Sequence, residues 1–400
     1  MRACSPLVVA GALVGTMCFA APAVAQRETV IASFGHGNGR YPAARLYEDR
    51  NGNFFGTAEL GGKASDKLGT VFEVSGGKHA WATKAIYNFS LLTGGFPEGG
   101  VIRDMSGALY GTAGLGDEDG CGNVFELKPH RGTWAEMTLH NFSYSDDGCV
   151  PVGELVHDSA GDLYGVTGIG GANGEGTVFE LLNAGGSWSY AILYSFAAGT
   201  DGNRPQGIRM DSSGTIYGTT ASGGVNGEGT VFELTQKGGA WRESILHSFG
   251  GAGDGSNPTG GLAEDSAGNL YGAARAGGAY GAGTVYELSR SGKNWIEATL
   301  YSFTGGSDGN QPYDGVTLAK GALYGVTPSG GSAGGGGVVY RLTQSGGTWT
   351  ETVLHSFPLP GGKDGSEPSA RPIVDKSGVV YGVTLDGAEN NFGRVYRIVP

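Results

Sequence analysis

The chain has 400 residues, of which 79 are glycine and only 16% are charged, and the glycines follow no Gly-X-Y period, which excludes a collagen. A formal net charge of -12 without a basic run or arginine stripe speaks against nucleic acid or anionic lipid as partner. The length alone would suggest two or three domains, but an internal repeat of about 54 residues overrides that expectation.

Taken from the N-terminus, residues 1–25 read as a cleavable signal peptide. Arg2 gives a positive start, Leu7 to Ala20 form a short apolar core, and Ala23-Val24-Ala25 match a small-x-small cleavage site. The run is too short for an ordinary membrane span, and Gly15-Thr16-Met17 before Cys18 make a poor lipobox. The mature chain is expected to begin near Gln26, to be secreted or periplasmic, and to form a single domain over 26–400. No second apolar segment of spanning length follows. Cys4 and Cys18 leave with the leader, so Cys121 and Cys149 are expected to form a disulfide, two free buried thiols being the alternative.

From there the register is set by seven aromatic-glycine pairs, Phe55-Gly56, Tyr110-Gly111, Tyr164-Gly165, Tyr217-Gly218, Tyr271-Gly272, Tyr324-Gly325 and Tyr381-Gly382. Seven Val-aromatic pairs keep step with them, from Val71-Phe72 to Val395-Tyr396, as do seven prolines, Pro42, Pro97, Pro151, Pro205, Pro258, Pro312 and Pro368. In the unit 254–303 the alternation predicts four strands: Gly260 to Glu264, Leu270 to Arg275, Thr284 to Ser289 and Trp295 to Phe303. Asp265-Ser266-Ala267-Gly268 suits a tight hairpin between the first two. No window carries a helical period.

Four antiparallel strands in each of seven repeats predict an all-β fold, a seven-bladed β-propeller. A parallel β-helix is disfavoured because its coils are shorter than 54 residues. The ends agree. The chain stops at a third strand, Tyr396 to Val399, and the missing fourth stands at the other terminus, where Glu28 to Phe34 match Glu351 to Phe357. The N-terminal strand should therefore complete the last blade and close the ring, which leaves no long exposed edge.

The recurring LYGxTxxGGxxGxGTVFEL core resembles the GloVer-type repeats of the choice-of-anchor tandem repeat family of exported bacterial proteins, across essentially all of 27–400. The resemblance implies export and brings no established activity. Members often end in a surface-sorting tail, which is not seen in this sequence. The order of Gly-Gly, aromatic strand and Trp-started strand is also similar to kelch blades.

For function, the Asp-Gly-x-x-Pro and Gly-Gly-x-x-Gly loops should share one face with the channel mouth, and they vary most. Beside the fixed prolines stand changing side chains, and Tyr41, Phe96, Arg204, Tyr313 and Glu367 are the candidate ligand contacts, with drift between repeats as the bland alternative. Asp117, Glu118, Asp119, Asp146 and Asp147 lie in two neighbouring loops that the disulfide would hold together, an arrangement able to offer oxygens to a structural Ca²⁺ or simply to be a solvated acidic patch. No other cofactor is expected. His140, His247 and His355 fall where other repeats carry Tyr87, Tyr194 and Tyr301, and no histidine pair has a zinc-like spacing, so any such cluster would have to be assembled by the fold. The tryptophans, one repeat position filled six times, read as packing residues. The expectation is a monomeric, non-enzymatic scaffold binding an extracellular protein or glycan. The alternative is a hydrolase or lyase acting on an extracellular polymer, with acids such as Glu98 and Glu367 at the channel mouth.

Overall fold

A computed structural model describes residues 27–400 apart from 77–79, 117–119, 146, 252, 363, 388–390 and 400. The expected leader, 1–25, lies outside the described residues. Seven antiparallel sheets follow one another along the chain and form a seven-bladed β-propeller. Among the described residues there is no helix at all. Nothing there is long and apolar enough to cross a membrane as a helix, which leaves β-barrels unaddressed.

Each blade is a meander of inner, second, third and outer strand. In the fifth these are Gly255–Glu264, Leu270–Gly277, Thr284–Ser291 and Asn294–Ser302. The inner strand starts earlier than the sequence pattern suggested, and Pro258 lies within it rather than in a loop. The same holds for Pro151 in Cys149–His157 and Pro205 in Gly202–Met210. The last blade has its inner strand broken into Ser366–Pro368 and Ile373–Val374. Its outer strand is Arg27–Ser33, which runs antiparallel to Arg394–Val399 with Glu28 opposite Ile398 and Ser33 opposite Arg394. The ring closes as the ends of the sequence required.

The repeated pairs have a common physical cause. In the fifth blade Gly272 faces Tyr286 across the second and third strands. A Cβ on Gly272 would stand 2.3 Å from the Tyr286 hydroxyl, so the glycine leaves the space that the ring occupies. All seven third-strand aromatics, from Phe72 to Tyr396, are fully buried. Burying one such ring contributes about 1.5–3 kcal/mol. The tryptophans pack between blades, as expected: Trp134 meets Phe55 edge-on at 6.2 Å, and Trp295 meets Tyr217 at 6.2 Å, each ring from the preceding blade.

The prolines lock one blade to the next. Gly229, at the start of the third strand of blade four, has φ +99°, and a Cβ there would sit 2.5 Å from Pro258 Cδ of blade five. The equivalent glycine meets the next blade's proline at every junction, ending with Gly393 against Pro42 across the closure. The residue before each proline, Tyr41, Phe96, Val150, Arg204, Asn257, Gln311 and Glu367, is left-handed, with φ between 52° and 61°. Such a conformation costs a non-glycine residue on the order of 1 kcal/mol. What offsets it is a backbone bond: each of these N–H groups donates to a carbonyl of the preceding blade, as Asn257 does to Glu228 at 2.7 Å. The Cys121–Cys149 disulfide, with Cα atoms 4.5 Å apart, adds a covalent tie at the junction of blades two and three.

Candidate functional site

The left-handed turn explains what the variable positions beside the prolines can do. Their backbone is spent on the junction, so only the side chain is free to differ, and it is carried on the rim. Arg204 is exposed and Tyr313 is 38% exposed, whereas Tyr41, Phe96 and Glu367 are half-buried. These residues form a ring around the mouth and not a cluster; each belongs to a different blade.

Within that ring one group converges. The Glu98 carboxylate raises the Glu59 carboxyl, already pushed up by burial, to about 7. Burial also raises Glu98. Tyr313 shares this environment: burial, then the charges of Asp314 and Glu98, raise its phenol, while Arg275 opposes them. The Arg275 guanidinium lies 6.0 Å from the centre of the Tyr313 ring and donates to the Gln311 side-chain oxygen at 3.3 Å. Glu59 of blade one, Glu98 of blade two and Arg275 of blade five all act electrostatically on the Tyr313 phenol of blade six. Glu59 is fixed there by its N–H, which donates to the Tyr41 carbonyl at 3.2 Å. Glu367, the other acid named from the sequence, does not join Glu59 and Glu98; burial raises it, with the charge of Asp386 adding.

Beneath the mouth charged side chains of different blades meet across the axis. Arg371 of blade seven donates to Glu154 of blade three at 2.6 Å, and its backbone N–H donates to the Asp314 carboxylate of blade six at 3.0 Å. Arg45 of blade one approaches Glu154 at 3.6 Å. Two cations and two anions meet there from four blades. Burial raises the Asp314 carboxyl against the pull of Arg371, and Glu154 and Asp314 together hold the Arg371 guanidinium charged despite burial. Arg45, Glu154 and Arg371 all stand three residues after the repeat proline, where blades two, five and six have Gly100, Gly261 and Gly315. These glycines make room: a Cβ on Gly261 would lie 2.8 Å from Arg371 Nη1 and one on Gly100 3.0 Å from Glu154 Oε1. Sequence reasoning looked one residue either side of the prolines and missed the column three residues on. Two arginines and a glutamate in a column otherwise apolar were the signal.

A cleft of about 1120 Å³ lies on the opposite face among the hairpins of blades one to three. Its wall includes Arg50, His157 and the fully exposed Met105, and Arg103 pairs with Asp49 at 3.0 Å. Of the expected Ca²⁺ ligands, Asp117, Glu118, Asp119 and Asp146 lie outside the described residues. Asp147 is engaged already: its carboxylate meets His140 Nε2 at 2.7 Å and accepts the Ser143 N–H at 2.6 Å.

A model of the Gloeobacter/Verrucomicrobia repeat matches residues 14–220 and 204–400. No curated protein matches the chain. Among solved structures, the extracellular domain of a candidate hybrid two-component system from B. thetaiotaomicron is similar with a TM-score of 0.57 and 13% identity, over 94% of this chain and 42% of that one. A candidate 6-phosphogluconolactonase from Bacteroides uniformis gives 0.54 and 13%, over 82% and 88%. PorZ, a surface component of the type-IX secretion system of Porphyromonas gingivalis, gives 0.53 and 13%, over 90% and 46%. At such identities the likeness is one of fold.

Proposed function

The chain belongs to the Gloeobacter/Verrucomicrobia repeat family, and on that premise we propose that it is an exported, non-enzymatic scaffold that binds an extracellular glycan at its channel mouth. One observation carries this reading: the Arg275 guanidinium lies 6.0 Å from the centre of the Tyr313 ring, and Glu59 and Glu98 act on the same phenol, above an axis where further ions meet. Carboxylates accept from sugar hydroxyls, a guanidinium donates to them, and a half-open tyrosine ring covers the apolar face of a pyranose. The disulfide supports an oxidising compartment, hence export.

A glycan array probed with the purified protein tests it. Retention of defined oligosaccharides, lost in Tyr313→Ala and in Glu98→Gln but kept in Glu367→Gln, is the expected result. Retention of none, or binding indifferent to both mouth variants, overturns the glycan reading, and capture of a protein partner instead would move the ligand to another class.

A second reading has its own support. Glu59, held near 7 beside a second carboxyl, has the poise of a general acid for cleaving a polymer. Release of product from a bound oligosaccharide, abolished in Glu59→Gln with binding intact, would favour it over the scaffold.

A further inference from the structure

At the outer end of the blade junctions the same three repeat positions meet. One blade supplies a tyrosine or histidine two residues before the buried phenylalanine of its outer strand. The loop that follows supplies an aspartate, and the next blade's outer strand supplies a third residue. Where the first residue is tyrosine the result is an ordinary contact: the Tyr194 hydroxyl donates to Asp201 at 3.0 Å and that of Tyr301 to Asp308 at 3.0 Å.

Three junctions have histidine, and they divide by the third residue. Between blades two and three it is Tyr190, whose ring stacks on His140 at 4.0 Å, while His140 Nε2 bonds Asp147. Between blades four and five it is Glu297, and between six and seven it is Glu28 of the closing strand. In both of these the imidazole nitrogen and one oxygen from each carboxylate lie within 4.8 Å of one another, as His247–Asp254–Glu297 and His355–Asp364–Glu28. The second set has a further mark: His355 Nε2 and Glu28 Oε1 are both buried without a hydrogen-bond partner. Leaving such atoms unpaired forfeits the hydrogen bonds they had in water, and a shared ligand would satisfy both.

We propose that these two junctions each bind a divalent transition-metal ion of the zinc class, and that the site on Glu28 fastens the N-terminal closing strand to blade six. One imidazole nitrogen with two carboxylate oxygens suits zinc, whereas Ca²⁺ takes six to eight oxygens. Three protein ligands leave the remaining position to water. The closing-strand site also feels the charge of Arg394, which donates to Ser33 at 3.3 Å. At the other site His247 Nε2 now bonds Asp254 at 2.9 Å, so binding must exchange that contact for the metal. The histidine spacing in the sequence could not show either set, because each joins residues of two blades.

Calorimetric titration of the chelator-treated, dialysed protein with Zn²⁺ alone decides the matter. Two ions per chain are expected. His247→Tyr and His355→Tyr should each remove one and the double variant both, whereas His140→Tyr should leave the stoichiometry at two. Tyrosine is the residue the fold itself uses at these positions in Tyr87, Tyr194 and Tyr301, so the variants keep a side chain the blade accepts. Glu28→Gln should lose one ion and abolish the part of the Zn²⁺-induced rise in melting temperature that belongs to the closing strand. No uptake of Zn²⁺, or uptake unchanged in the double tyrosine variant, overturns the proposal.

Discussion

The junctions between blades and the axis of the ring are built by the same inner strand, three residues apart, yet they obey opposite rules. At the junction a glycine of one blade lies under a proline of the next, and this pairing is made of the same atoms seven times. At the axis Arg45, Gly100, Glu154, Ile208, Gly261, Gly315 and Arg371 share one column with little else in common. A junction is a local problem with one solution, repeated wherever two sheets meet. The axis is a collective one, because all inner strands approach one line and their side chains must be compatible as a set.

The comparison can be broken most severely at the junction that two distant segments make. Deleting residues 26–34 removes the buried Ile31 and Phe34 and leaves Arg394–Val399 as an edge. A loss of at least about 4 kcal/mol is expected by denaturant unfolding, from side-chain burial alone. An unchanged melting temperature would refute closure by this strand. At the axis Arg371→Leu leaves Glu154 and Asp314 without their buried partner and should cost about 3–5 kcal/mol. Replacing Arg371, Glu154 and Asp314 together by apolar residues of similar volume should restore most of that. If the triple variant is no more stable than the single one, the axis is not a collective unit.

Two glycines sharpen the contrast. Gly229→Ala places a Cβ between Pro258 Cδ and the Thr220 carbonyl at left-handed φ, and a cost of about 2–4 kcal/mol follows from overpacking and backbone strain. Gly261→Ala meets only the far end of Arg371, and its φ is not left-handed, so less than about 1 kcal/mol is expected. Equal losses would show that the two regions are equally rigid.

The smallest effect is in pH. Glu28, Glu243 and Glu351 at the junctions, and Glu59 at the mouth, are each raised to about 7, by burial first and a neighbouring carboxylate second. Unfolded, they ionise near 4.5, so between about pH 4.5 and 7 the unfolded chain releases protons that the native chain keeps, and stability falls as pH rises. His140 and His355, lowered by burial, work against this, since they favour the native state as pH rises towards their ordinary range. Turn aspartates such as Asp211 and Asp265 are lowered, their carboxylates' hydrogen bonds outweighing burial, and their contribution is lost in acid. Four glutamates outweigh two histidines, so the melting temperature should be higher at pH 5 than at pH 8, and Glu243→Gln should flatten that slope.

The same contrast decides what could be read from the sequence. Tyr271-Gly272, Val285-Tyr286 and Trp295 recur because each answers a contact inside or between blades, so the period, the strand count and the closure were legible. So was Cys121–Cys149, the one cysteine pair outside the expected leader. Pro258 misled, because proline usually marks a break; here the left-handed residue before it turns the strand so that the chain continues paired on both sides. The mouth was half legible. Tyr313 and Glu98 were named from their place beside a proline, but Glu59 and Arg275 come from the ends of second strands. Their proximity depends on where the ring curls. The Arg371–Glu154 pair spans 217 residues, a distance over which no local pattern can speak.

The closing strand also sets an order of events. Blades one to six are each made of consecutive chain, so each is complete as soon as its own outer strand has been synthesised. Blade seven pairs Arg27–Ser33 with Arg394–Val399, segments from opposite ends of the ring-forming repeats. The closing strand must therefore stay unpaired, neither aggregating nor docking wrongly, until Arg394–Val399 has been made. Contacts of such long range form slowly. The ring therefore stays open while blades one to six form and closes only when the third strand of blade seven arrives.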